Sequence, residues 1–235
     1  MKIVILLYDG FTALDVIGPY ETLCRLPGAQ VVFVAKEKGI IESDFKHARL
    51  IADYSISEIS SADILVLPGS TITFLQAIQD KQLLEWISEV HQKTKWTLGV
   101  CSGAVILAAT GILKDQQATT HWALYDQLEK LGVHPVAERF VRNGKVITAA
   151  GVSAGIDAAL YLASLEFGEE TAKALQLIQE YAPQPPFNTG SLQNAPAHIV
   201  DRAKRVLVRD VKRMTGGTLF SLIKTVLKLR LIRHL

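Results

Sequence analysis

Short apolar, β-branched runs alternate with amphipathic helical stretches along most of this chain, and few architectures accommodate such a pattern. The runs at residues 2–7, 30–34, 64–67 and 97–100 are almost continuously apolar, as strands covered on both faces must be; a strand with one wet face would alternate instead. Between them, residues 12–25 read as a helix opened by Thr12 as its cap. Residues 75–92 read as another, with Leu75, Ile78, Leu83, Leu84, Ile87 and Val90 on one stripe. The expectation is an α/β domain with an open, mostly parallel sheet and helices on both faces. Residues 39–53 and 140–149 read as hairpins added to the main sheet, the second closed by an Asn143-Gly144 turn.

Further along, residues 152–166 and 169–181 carry helical patterns, and Ala182-Pro183-Gln184-Pro185-Pro186 then forbids helix. This break suggests a domain over residues 1–190 and a basic helical extension over residues 191–235. Within the extension a helix is expected over 197–214, a break at Gly216-Gly217 and a second helix over 218–231. Residues 201–235 hold ten basic and two acidic side chains, against 15 basic and 21 acidic before them, although the whole chain carries only +2. No specific nucleic-acid binding is expected from that balance. The stripe Leu219, Leu222, Ile223, Val226, Leu227 and Ile232 is expected to pack on the domain or on a second subunit, with membrane-surface or partner contact as the alternative.

Two cysteines cannot staple 235 residues, and their spacing suits neither a disulfide framework nor a zinc site, so a reducing, cytoplasmic setting is expected. The opening MKIVILLYDG reads as a first buried strand, and no apolar run approaches the length of a membrane span. Dinucleotide, P-loop and H-E-x-x-H motifs are missing from the sequence, and neither a redox nor a metal cofactor is implied.

The chemistry concentrates at Gly99-Val100-Cys101-Ser102-Gly103, where an apolar strand runs into a helix of small residues. Such a G-x-C-x-G turn is a nucleophile elbow: its glycines let strand and helix approach closely and its nucleophile sits at the strand's carboxyl end, where open α/β sheets bind ligands. The helix beginning near Ser102 aims free amides at the sulfur, so an outward-facing thiolate is expected at Cys101. Cys24, beside Leu23 and Leu26, reads as a small packed hydrophobe. Asp15 stands alone in the apolar run from Phe11 to Ile17, where a carboxyl either caps a helix or serves chemistry. The amides of Gly69 and Ser70, following a buried strand, can join that of Ser102 as an oxyanion-type donor cluster.

These motifs, together with Leu14-Asp15-Val16-Ile17-Gly18-Pro19, Ala118-Thr119-Thr120-His121-Trp122 and the strand ending at Pro68-Gly69-Ser70, resemble the ThiJ/PfpI superfamily, related to class I glutamine amidotransferases. The resemblance spans about residues 1–190. Within it, Gly151-Val152-Ser153-Ala154-Gly155-Ile156-Asp157 and Glu180-Tyr181-Ala182-Pro183-Gln184-Pro185-Pro186-Phe187-Asn188 look most like isonitrile hydratases. The resemblance implies a flavodoxin-like fold, a small-molecule substrate, no cofactor and a homodimer. It maps Asp15 onto the carboxyl facing the catalytic cysteine, Ser102 onto a threonine, and Ser70 onto a second glycine of the turn. His121 falls where several relatives keep a histidine near their cysteine.

Three readings follow. In the first, the Cys101 thiolate attacks an isonitrile carbon, Asp15 supplies the proton, and water opens the thioimidate to an N-substituted formamide. In the second, Cys101 and His121 form the dyad of a hydrolase or deglycase. The third is a non-catalytic sensor domain, as in AraC-type regulators, although only about 45 residues follow Gly190 where such regulators carry a DNA-reading module of about 100.

Overall fold

The computed structural model describes residues 1–216, so the expected helix over 218–231 lies outside the described residues. Seven strands form the main sheet: β1 (Lys2–Leu6), β2 (Gln30–Ala35), β5 (Tyr54–Ser55), β6 (Ile64–Leu67), β7 (Trp96–Val100), β10 (Phe140–Asn143) and β11 (Val146–Ala149). Their order is β10-β11-β7-β6-β1-β2-β5. Every pair is parallel except the edge hairpin β10–β11. The hairpin of β3 (Gly39–Glu42) and β4 (Arg49–Ala52) stands apart as its own ribbon, as does the pair of β8 (Gln117–Ala118) and β9 (His134–Pro135).

The continuous apolarity of the central strands has a direct cause. Ile3, Ile5 and Leu7 belong to one buried cluster and Val4 and Leu6 to another, because successive strand residues face opposite sides of the sheet. One side is covered by α1 (Ala13–Leu23), α6 (Ala154–Phe167) and α7 (Glu169–Ile178). On the other lie α2 (Phe74–Ala77), α3 (Lys81–Gln92), α4 (Gly103–Ala109), α5 (Tyr125–Lys130) and part of α8 (Ala197–Met214). No helix among the described residues is long and apolar enough to cross a membrane.

Two expectations are corrected. The stretch 75–92 is not one helix: Asp80 leaves the helical conformation and its Oδ1 accepts the amide of Leu83 at 3.3 Å, which starts α3 afresh. The segment 140–149 is not an addition beside the sheet, for β11 pairs in register with β7 and sets Ala149 opposite Val100. All four residues of β11 are buried. That pairing carries the chain on to residues 150–153, next to Cys101.

Candidate active site

At the end of β7 the chain turns sharply. Cys101 adopts φ +56°, a left-handed conformation unusual outside glycine, with a cost of about 1–3 kcal/mol that the surroundings must hold in place. Its amide donates to the Ala149 carbonyl at 3.0 Å, and its own carbonyl accepts the Thr120 hydroxyl at 2.7 Å. Gly103 completes the elbow. A Cβ there would overlap the Leu67 carbonyl at the end of β6, a backbone atom with nowhere to go. Gly103→Ala is therefore expected to lose about 3 kcal/mol or more of stability, read as a shift of the urea midpoint at unchanged slope; an unshifted midpoint would show that the two segments are free to separate.

The elbow does not push the sulfur into solvent as the sequence suggests. Cys101 is only 6% exposed, at the floor of a cleft. Burial drives its thiol well above the ordinary cysteine range, and the neighbouring Asp15 raises it further, while amides of Ser102 and Val152 pull the other way. The expected thiolate thus gives way to a protonated thiol in the resting protein: seven-residue α4 and two amides are outweighed by desolvation. In the folded protein, iodoacetamide at pH 7 should label half-buried Cys24 at least as fast as Cys101, with Cys101 gaining most when the pH is raised. Peptide mapping by mass spectrometry reads both rates, and a dominant Cys101 adduct at pH 7 would contradict this protonation state.

Asp15 lies within the first turn of α1, fully buried, and is not the helix cap. Thr12 occupies the cap position, but its hydroxyl donates to Asp44 Oδ2 at 3.0 Å. The Gly69 amide donates to Asp15 Oδ2 at 2.9 Å, whereas Oδ1 has no hydrogen-bond partner. Burial raises this carboxyl to about 8, against which the Gly69 amide works. At neutral pH Asp15 is therefore an acid holding its proton. With Oδ2 accepting the Gly69 amide, the hydrogen-bond pattern assigns the proton to Oδ1. Asp15 and Cys101 interact directly, and in so dry a place they titrate as a pair.

The turn after β6 serves this pair differently from the sequence expectation. The Gly69 amide is taken by Asp15, and the Ser70 amide donates to Ser102 Oγ at 2.7 Å, so neither is free as an oxyanion donor. Ser102 Oγ in turn donates to the Ser70 carbonyl at 2.9 Å, which ties the elbow to the turn and leaves the hydroxyl no spare proton for a substrate. The amides that do face the sulfur belong to Ser102 and Val152. Val152, at φ +47°, sits in a stretch that the sequence assigns to ordinary helix entry. Tyr8 is a second omission. Its hydroxyl donates to the Pro68 carbonyl at 3.0 Å and lies beside Ser70 and Ser102. Its position just past β1, at the carboxyl edge of the sheet, was the available signal.

His121 does border the cleft, yet it forms no hydrogen bond with Cys101 among the described residues. Its Nδ1 accepts the Ala123 amide at 3.3 Å, which assigns the ring proton to Nε2. Burial alone lowers it to about 4, so the imidazole is neutral and a weak base at physiological pH.

The cleft has a volume of about 220 Å³ and is walled by Phe45, Leu124, Val152, Leu207 and Val211, with Cys101 at its base. Residues 1–165 match the DJ-1/PfpI family. The chain belongs to the DJ-1/PfpI family. It is 36% identical to an isonitrile hydratase of Pseudomonas putida over 218 residues, 93% of this chain and 95% of that one. Among solved structures, a ThiJ/PfpI family protein from Pseudomonas syringae superposes with a TM-score of 0.84 at 33% identity, over 92% of this chain and 89% of that one. Toxoplasma gondii DJ-1 shares the fold, with a TM-score of 0.68 at 21% identity over 77% of this chain and 99% of its own. As a DJ-1/PfpI protein the chain has the flavodoxin-like α/β fold expected from its motifs, and the family and its relatives support a cysteine-dependent enzyme.

Proposed function

We propose that this protein hydrates isonitriles to N-substituted formamides. The observation that carries the reading is the fully buried Asp15 carboxyl beside the Cys101 thiol at the floor of an apolar cleft, where burial favours the protonated acid. The terminal carbon of an isonitrile must gain both a proton and a nucleophile, and this pair supplies the two together. Asp15 Oδ1–H passes its proton to the carbon as the sulfur bonds to the same atom, and the thiol proton replaces the one Asp15 has given. The product is the thioimidate R–N=CH–S–Cys101, with no atom left over. Water then adds at that carbon, the C–S bond breaks, sulfur recovers its proton and R–NH–CHO departs. The resting state needs no thiolate, because proton and sulfur are delivered as a neutral pair.

The Ser102 and Val152 amides steady the charge that builds on sulfur during the exchange. Ser102 Oγ, Gly69 and Ser70 are positioning groups that hold the elbow against the turn. The relative from Pseudomonas putida supports the choice of reaction. A Cys–His hydrolase gains no support from His121, which is neutral, poorly basic and occupied at Nδ1 by a backbone amide.

The test is a panel of isonitriles, amides and glyoxal-type carbonyls analysed by mass spectrometry. Formamide from the isonitriles is expected, with His121→Ala retaining turnover within about tenfold and Asp15→Asn falling about a hundredfold or more. The reverse ranking, with amides consumed, would hand the site to hydrolysis. Tight binding of a panel member without turnover would favour a sensor.

A further inference from the structure

The wall of the cleft opposite the sheet comes from outside the region matching the family: α8 begins at Ala197, whereas the match ends at residue 165. Leu207 and Val211, one helical turn apart, both line the space above Cys101. Val211 is 1% exposed, the most buried residue of α8, and Leu207 and Val208 pack against the same core cluster. The remainder of α8 carries Arg202, Lys204, Arg205, Arg209, Lys212 and Arg213 and leaves Val206 exposed, so the face bearing Leu207, Val208 and Val211 is the one turned inward.

The threonine hydroxyls and the Asp44 carboxylate on the facing wall are already engaged. The hydroxyls of Thr12 and Thr71 both donate to Asp44 Oδ2, at 3.0 and 3.1 Å, and the Phe45 amide donates to Asp44 Oδ1 at 3.1 Å. A substituent lying along this wall therefore meets Phe45, Leu124, Val152 and α8, with no unpaired hydroxyl to reward a polar group and with the Asp44 carboxylate nearby to repel an anion. We infer that α8 is the specificity wall of the active site: Leu207 and Val211 set the upper size of an uncharged hydrocarbon substituent on the substrate within a cleft of about 220 Å³. This rests on the hydratase reading for the identity of the substrate, but not for the position of the wall.

Two series measured on wild type, Leu207→Ala and Leu207→Trp test it. One is kcat/KM for isonitriles whose substituent grows from a short alkyl chain through one ring to two fused rings. The other is the rate of Cys101 alkylation at pH 9 by uncharged N-substituted iodoacetamides of the same graded sizes, a readout that needs no turnover. Wild type should discriminate against the two-ring members. Leu207→Ala should raise the ratio of two-ring to short-chain rates about tenfold in both series, and Leu207→Trp should lower the one-ring rate about tenfold relative to the short chain. A loosened fold cannot imitate the tryptophan result, since exposure of Cys101 would flatten selectivity instead of sharpening it. If the alkylation ratios shift while no isonitrile is consumed, the wall stands and the hydratase reading fails. Size ratios unmoved by both substitutions in the alkylation series overturn the inference.

Discussion

Cys101→Ala should give a folded protein with no measurable formamide formation, a loss of about a thousandfold or more relative to wild type. Every step of the proposed reaction passes through a bond to this sulfur. The hydroxyls that line the cleft are held elsewhere: those of Thr12 and Thr71 donate to Asp44 Oδ2, and Ser70 Oγ accepts the Phe74 amide at 2.7 Å. Stability should change little. Alanine meets the same left-handed backbone as cysteine, the amide bond to Ala149 remains, and only one buried sulfur is removed. A cost of about 1 kcal/mol corresponds to about 2–4 °C in Tm for a protein of this size. Full activity in the alanine variant would exclude any covalent route through Cys101.

Asp15→Asn should separate chemistry from stability in opposite directions. Asparagine preserves the shape and can still accept the Gly69 amide, but it has no acidic proton to place on carbon, so isonitrile turnover should fall about a hundredfold or more. Stability responds with pH. In the wild type this acid is raised to about 8 by burial, from an ordinary value near 4, so across that window the native state holds a proton that the unfolded chain has released. Asp15's contribution to wild-type stability therefore declines as pH rises from about 4 through about 8, a loss of several kcal/mol, on the order of 1.4 kcal/mol per pKa unit. Asparagine carries no such penalty. The variant should gain on wild type steadily between pH 5 and pH 8.5 in denaturant titrations. A difference that stays flat across this range would mean that Asp15 is ionised in the folded protein and unable to act as the acid.

Much of the scaffold could be read from local pattern. The apolar runs that became β1, β2, β6 and β7 are legible because burial on both faces imposes a composition on each strand separately. The bounds of α8, Ala197–Met214, are those expected from the helical pattern and the Gly216-Gly217 break. The elbow is legible because Gly103 has no substitute beside the Leu67 carbonyl. The break at Asp80 and the place of β11 were not. An aspartate within an amphipathic run looks like a surface residue until its side chain caps a helix, and the four residues Val146–Ala149 after a hairpin turn do not say which strand they will join on their other side.

The sequence by itself determined a parallel α/β domain, a cysteine on a glycine-flanked turn, and a lone carboxyl in an apolar stretch near the first strand. Only the tertiary structure decided what these groups are chemically. Whether Cys101 is thiol or thiolate, and Asp15 acid or carboxylate, depends on desolvation summed over β1, the turn after β6, the stretch after β11 and α1, elements up to about 150 residues apart. Whether the Gly69 and Ser70 amides are free depends on which acceptors the fold places before them. That α8 closes the cleft depends on where a helix nearly a hundred residues beyond Cys101 finds room to bury Leu207 and Val211. Patterning is local and survives in the one-dimensional string, whereas solvation and hydrogen-bond partnership belong to a site that exists only once distant segments are packed together.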